Sequence, residues 1–243
     1  MRDLPAVLNS GCSELPRSLQ LVVSSDRTQS AAAPEVQGMN HSFSYQPRDR
    51  VLAWLQQQVP QSRLQHILRV EQMAVELAWR HGLDTQRAAQ AGLMHDLAKC
   101  FKPQKLLAMA RAEGLELDAV EQANPHLLHA EVGAIVARQE FGVEDPEVLW
   151  AIRNHTLGRP DMSPLSCVVF LADSLEPGRG DTPELTRLRQ VCQTDLYRAV
   201  WLTSDYTLQY LLSIHCLVHP QVIRTRNWAM QRARQLYRQS PRD

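Results

Sequence analysis

Residues 61–82 read QSRLQHILRVEQMAVELAWRHG. Leu64, Ile67, Leu68, Glu71, Val75 and Ala78 recur at steps of three and four, with Arg63, Gln65, Gln72 and Arg80 between them. That spacing builds one apolar stripe along an α-helix, and Gly82 is a natural stop after it. The same signs repeat beyond this stretch. Asp84 suits the N-cap of a following helix that carries Ala88, Ala91, Leu93 and Met94. Pro103, Pro125 and Pro146 suit first-turn positions, predicting helices to about 112, about 140 and 155. Ser163-Pro164 precedes the apolar run Leu165 to Leu171, which reads as a buried helix, although Val168-Val169-Phe170 would also suit a strand. Two long helices are expected to close the chain, near 184–217 with a break near 193, and over 220–237. No convincing alternating segment appears, so the expected fold is all-α, without internal repeats.

The chain has 243 residues, 44% apolar and 21% charged, which suits one compact domain with an extension. Lys+Arg and Asp+Glu are 26 each, giving zero formal charge. That balance argues against a generic binder of nucleic-acid polymers or membrane surfaces, which needs a basic excess. No run reaches the ~18 apolar residues of a membrane span, and the first residues do not read as a secretory signal. The five cysteines, Cys12, Cys100, Cys167, Cys192 and Cys216, are odd in number and form no Cys-x-x-Cys, a pattern that suits free thiols in a reducing cytoplasm. Residues 1–45 carry Ser24-Ser25-Asp26, Ser30 to Pro34 and Asn40-His41-Ser42 with no sustained period. They are expected to be a disordered extension, or sequence upstream of a start at Met39, leaving 46–243 as the folded domain.

His95-Asp96 stands at the end of an Ala-rich helical stretch. Alone, such a dipeptide is usually a surface pair. Its company changes the reading. His66 lies on the helix quoted above, His129 follows two leucines, His155 sits in Asn154-His155-Thr156, and Asp173 closes the apolar run. A buried Asp is costly unless a cation compensates it, either a metal ion or a salt-bridge partner such as Arg179. Four His and two Asp would suit two divalent cations, with Asp96 between them, and this donor set favours Fe or Mn over thiolate-bound Zn. Cations there would acidify water and neutralise phosphate oxygens. Lys99, Arg159 and Arg179 are candidate phosphate contacts, and Thr156 could hydrogen-bond a phosphate oxygen or serve as a cap. His81 suits a helix C-terminus, and His126, His215 and His219 are read as structural.

Taken together, Arg63-x-x-His66, His95-Asp96-Leu-Ala-Lys99, Asn124-Pro125…Leu128-His129-Ala130-Glu131, His155-Thr156-x-Gly158-Arg159-Pro160 and Ala172-Asp173-x-x-Glu176-Pro177-x-Arg179 resemble the HD-domain metal-dependent phosphohydrolases. The likeness is strongest to the YqeK-type bacterial symmetrical bis(5'-nucleosyl)-tetraphosphatases and runs from about 50 to about 230. The resemblance implies an all-helical HD fold, a di-iron-type site, and hydrolysis of diadenosine tetraphosphate to two ADP. It would give one ion to His66, His95, Asp96 and Asp173, and a second to Asp96, His129 and His155. Lys99 and Asp96 would be catalytic. Arg63, Lys99, Thr156, Arg159, Glu176 and Arg179 would bind the dinucleoside polyphosphate. The cofactors expected are two divalent ions, Fe first and Mn second; a homodimer is compatible with the sequence. Two other readings stay open: an HD phosphohydrolase on another nucleotide, and a catalytically silent nucleotide-binding module.

Overall fold

The computed structural model describes residues 48–239. The expectations for residues 1–45 and for a start at Met39 lie outside these residues. The described chain is helical, and no strand occurs in it. α1 (Arg48–Gln58), α2 (Gln61–Arg80) and α3 (Thr85–Met94) are followed by α4 (Pro103–Ala112), α5 (Ala119–Ala123) and a 3-10 turn at Pro125–Leu128. Then come α6 (His129–Phe141), α7 (Pro146–Asn154), α8 (Pro164–Leu175), a second 3-10 turn at Pro177–Arg179, α9 (Pro183–Cys192), α10 (Leu196–Ser213) and α11 (Pro220–Gln239). No described helix is long and apolar enough to cross a membrane.

Most helix starts follow from local chemistry. Asp84 accepts the backbone N–H groups of Gln86 and Arg87 and so caps α3. Proline takes the first turn of α4, α7, α8 and α9, where its missing N–H costs nothing. The run 165–171, which could have been a strand, is helical. Ser163 caps it, Pro164 opens it, and every residue from Leu165 to Leu175 is buried, so the helix is apolar all round because neighbours cover it all round. α8 packs against α2, α3, α7 and α10, and α2 packs closely along α3.

Two expected helices have different bounds. The stretch opened by Pro125 is a tight 3-10 turn first, and α6 starts only at His129. The turn leaves the His126 carbonyl to accept both the backbone N–H and the imidazole Nδ1–H of His129. The segment 184–217 breaks at 193 as expected but ends at Ser213. There His215 turns left-handed (φ 55°) and the Cys216 N–H closes back on the Leu211 carbonyl at 3.0 Å, a helix-ending hydrogen-bond pattern. The short α5 was not expected from the sequence; an Asp118/Glu121 capping box builds it.

His219 ties the α10–α11 linker to α5. Its Nδ1 accepts the Gln221 N–H, so its Nε2 carries the proton and faces Asp118 at 2.9 Å. α11 in turn buttresses the loop after α7, since the Thr225 hydroxyl is shared between the Leu157 carbonyl and the Gln221 carbonyl of its own helix, each at 2.9 Å.

Candidate metal centre

α2, α3, α6, α7 and α8 bring His66, His95, Asp96, His129, His155 and Asp173 into one buried cluster, none exposing more than 5% of its surface. Three of the imidazoles are set by one device. His95 and His155 cap the C-termini of α3 and α7, and His129 follows the 3-10 turn. Helix ends leave carbonyls without intrahelical partners, and each ring spends its Nδ1–H on the carbonyl three residues back. The partners are Gly92 (2.7 Å), Ile152 (2.7 Å) and His126 (2.5 Å). His66 lies within α2, where backbone carbonyls are already used, and its Nδ1 pairs instead with Glu176 Oε1 at 3.0 Å. With Nδ1 spent as a donor, Nε2 is the nitrogen each neutral ring has left to offer a lone pair.

Those four lone pairs point at one another and at carboxylates. His129 Nε2 and His155 Nε2 are 3.0 Å apart. Asp96 Oδ1 faces both, at 3.4 and 3.7 Å, while its Oδ2 faces His95 Nε2 at 3.4 Å and His66 Nε2 at 3.8 Å. Asp173 Oδ1 lies 3.1 Å from His66 Nε2 and 3.7 Å from His95 Nε2. His95 Nε2 is fully buried with no hydrogen-bond partner, which is costly for a polar atom. Acceptors packed this way need positive charge among them. Imidazole and carboxylate donors with Nδ1 anchored behind them fit divalent transition metals, and His66, His95 and Asp173, and His95, Asp96 and His155, form close ligand sets.

The protonation behaviour agrees. Burial would raise the Asp96 and Asp173 carboxyls, yet His95 and Lys99 around the first, and Arg179 and His66 around the second, hold both well below the usual carboxylate range. Burial, then the Lys99 charge, keeps His129 well below the usual imidazole range, and burial with His95 takes His155 down to about 4. His95 shows the opposite balance: burial lowers it, but Asp96 and Asp173 outweigh burial and raise it. Ionised carboxylates with neutral His129 and His155 imidazoles suit a site that takes a metal, and a cation there would replace the proton that Asp96 and Asp173 favour on His95.

The HD-domain family model matches residues 63–178, which span all six of these residues. The chain is also 36% identical over 181 residues to "Bis(5'-nucleosyl)-tetraphosphatase, symmetrical" of Bacillus subtilis (strain 168), covering 74% of this chain and 96% of that one. The chain belongs to this HD-domain family. A second member, from Halalkalibacterium halodurans, carries the same name and is 35% identical over 180 residues, 74% of this chain and 95% of its own. The fold matches a crystal structure from Clostridium acetobutylicum described as a predicted HD superfamily hydrolase involved in NAD metabolism. The TM-score is 0.73 and the identity 34%, over 76% of this chain and 97% of that one. HD domains are metal-dependent, in accord with the donor cluster.

The other residues expected at this HD site take different places. Lys99 Nζ approaches His129 Nε2 at 3.3 Å, and burial holds its amine below the usual lysine range. Arg63 Nη1 donates to Asp96 Oδ2 at 3.1 Å. The Thr156 hydroxyl lies 2.9 Å from His155 Nε2 and 3.1 Å from His129 Nε2. Arg179 is buried, with Nη2 on Asp173 Oδ1 at 2.6 Å and Nε on the Asp173 carbonyl at 2.8 Å. Glu176 is buried behind His66, where it accepts from His66, Arg69 and the Gly178 N–H. Burial would raise its carboxyl, but these donors hold it at about 2. Such a place fits orienting His66 better than meeting substrate. Arg159 makes none of these contacts; its guanidinium lies over the Trp150 ring, 4.5 Å from the centroid. Arg69 was not singled out by the sequence, where it is one more arginine on an amphipathic helix.

Proposed function

We propose that this chain hydrolyses diadenosine tetraphosphate symmetrically, releasing two ADP, with two divalent cations at the His/Asp cluster, iron first and manganese second. The observation that carries the two-cation reading is the Asp96 carboxylate. Its Oδ1 faces the His129/His155 pair and its Oδ2 faces His66 and His95, so one side chain is shared between two donor sets. Asp173 completes the set on the His66 side. When bound, divalent cations would supply Lewis acidity to phosphate oxygens and acidify water at neutral pH.

The protein groups divide the remaining work. Attack by water oxygen on the second phosphorus of the tetraphosphate forms one P–O bond and breaks the central anhydride, so ADP leaves and the water proton passes to solvent. Lys99, close to His129, offsets charge on the leaving phosphate. Arg63 and the Thr156 hydroxyl border the cluster and can donate to phosphate oxygens. Arg179 acts mainly through Asp173, and Arg159, over the Trp150 ring, is assigned to an outer phosphate or nucleoside by the family resemblance alone. Zero formal charge accords with a small-molecule substrate rather than a nucleic-acid polymer or membrane. A cytoplasmic setting fits the buried thiols of Cys167 and Cys192. The test is turnover of diadenosine tetraphosphate by Fe²⁺- or Mn²⁺-loaded protein, with products separated by ion exchange. ADP alone supports the proposal. ATP with AMP overturns the symmetry, and no turnover by metal-loaded protein moves the assignment to another nucleotide or to a silent binding module.

A further inference from the structure

His66 differs from the other three imidazoles. They lean on backbone carbonyls that the fold fixes, whereas His66 leans on a side chain, the Glu176 carboxylate. A carboxylate can rotate, so it orients an imidazole only if it is itself held. Two groups hold it. The Gly178 N–H donates to Oε2 at 2.5 Å. Arg69, one turn beyond His66 on α2, donates from Nε to Oε2 and from Nη2 to Oε1 at 3.4 Å.

Gly178 gives a second, independent sign. Its backbone is not left-handed, so conformation does not require glycine there. A Cβ at this position would overlap the Nη2, Cζ and Nε atoms of Arg69. The glycine therefore makes room for the guanidinium. The outer side of Arg69 lines a surface cavity of about 170 Å³ with Gln72, Glu76 and Pro177.

We propose that Arg69 is a positioning residue of the metal site: seated over Gly178, it locks Glu176, which holds His66 with its Nε2 lone pair turned into the cluster. The inference rests on the reading that the cluster binds cations. Because Arg69 borders an open cavity, shortening it leaves solvent rather than a buried void, and urea unfolding of each variant checks that the fold is retained.

The experiment uses the full chain, stripped of metal, with Arg69→Gln, Arg69→Lys and Gly178→Ala. Mn²⁺ affinity is measured against a competing chelator, and ¹⁵N-histidine NMR of the metal-free protein reads the tautomer of each ring. Wild type is expected to show His66 protonated at Nδ1. Loss of an outer partner of a metal ligand costs 10–100-fold in affinity, and for a residue one step further out the expected loss is about tenfold. Arg69→Gln and Gly178→Ala should both show it, with the His66 signal moving toward mixed tautomers while His95, His129 and His155 stay put. Arg69→Lys should restore part of the loss. Gly178→Ala should add nothing in the Arg69→Gln background, because the two changes remove the same contact. Wild-type affinity with an unchanged His66 signal in both variants, or additive losses, would overturn the proposal. If wild type itself bound no Mn²⁺, the metal reading would fail, and the His66 tautomers would still decide for or against the Arg69 clamp.

Discussion

Gly92→Ala replaces no candidate ligand, yet it should loosen the metal site. A Cβ on Gly92 would stand 2.9 Å from the Glu71 Cα and 3.3 Å from the Ala74 Cβ, where ordinary contact begins at 3.4 Å. The Glu71 atom is backbone and cannot swing aside, so α3 must move from α2 by about 0.5 Å. His66 rides on α2, and His95 and Asp96 ride on the end of α3, with His95 Nδ1 bonded to the Gly92 carbonyl itself. A shift of about 0.5 Å is the limit of what a functional constellation tolerates. Overpacking costs about 1–3 kcal/mol and the gain in helix propensity returns about 1 kcal/mol, leaving a net loss of about 0–2 kcal/mol. Gly82→Ala is the matched control. Nothing lies within 4 Å of its added Cβ, but its φ of +64° costs about 1–2 kcal/mol for any other residue. Urea unfolding and Mn²⁺ titration of both variants separate the effects. Both should lose comparable stability, and Gly92→Ala alone should lose Mn²⁺ affinity, by about tenfold. Equal affinities in the two variants would show that the α2–α3 spacing does not set the site.

Glu176→Gln should flatten the acid limb of stability in the metal-free protein. The native carboxyl sits at about 2 against the usual 4.5, so its contribution is complete above about pH 4.5 and is lost as pH falls through about 2; urea unfolding across that range reads the slope. Lys99→Met should lower kcat on diadenosine tetraphosphate by about 10²-fold while Mn²⁺ affinity holds or rises, since a cation beside His129 is removed; steady-state kinetics with saturating Mn²⁺ checks both. Thr225→Val should cost about 1 kcal/mol, because the Leu157 carbonyl loses its partner from α11; thermal unfolding reads this directly.

Much of the fold is written in short-range signals. The caps and prolines at 84, 103, 146 and 163–164 report local backbone chemistry, and the stripe from Leu64 to Ala78 reports which face of α2 is covered. The run 165–171 was ambiguous because burial on every side erases periodicity, and only its cap and proline distinguished helix from strand. Pro125 announced a helix but not the 3-10 turn that delays α6 to His129, since a first-turn proline suits both. The six candidate ligands were legible as His and Asp beside apolar helix faces, and the family resemblance divided them between two ions. Their outer partners were not. Glu176 meets His66 across 110 residues and Arg69 across 107, and no periodicity encodes a pairing that depends on how α2 lies against the end of α8. The carbonyls that fix His95, His129 and His155 are backbone groups and leave no mark in the sequence.

Crystals grown with Mn²⁺, with an anomalous difference map at the His/Asp cluster, test the two-cation site most directly. Two peaks are predicted, one against His66, His95 and Asp173 and one against His129 and His155, with an Asp96 oxygen toward each and a separation of about 3.5–4 Å. A single peak, or two peaks that Asp96 does not join, would contradict it.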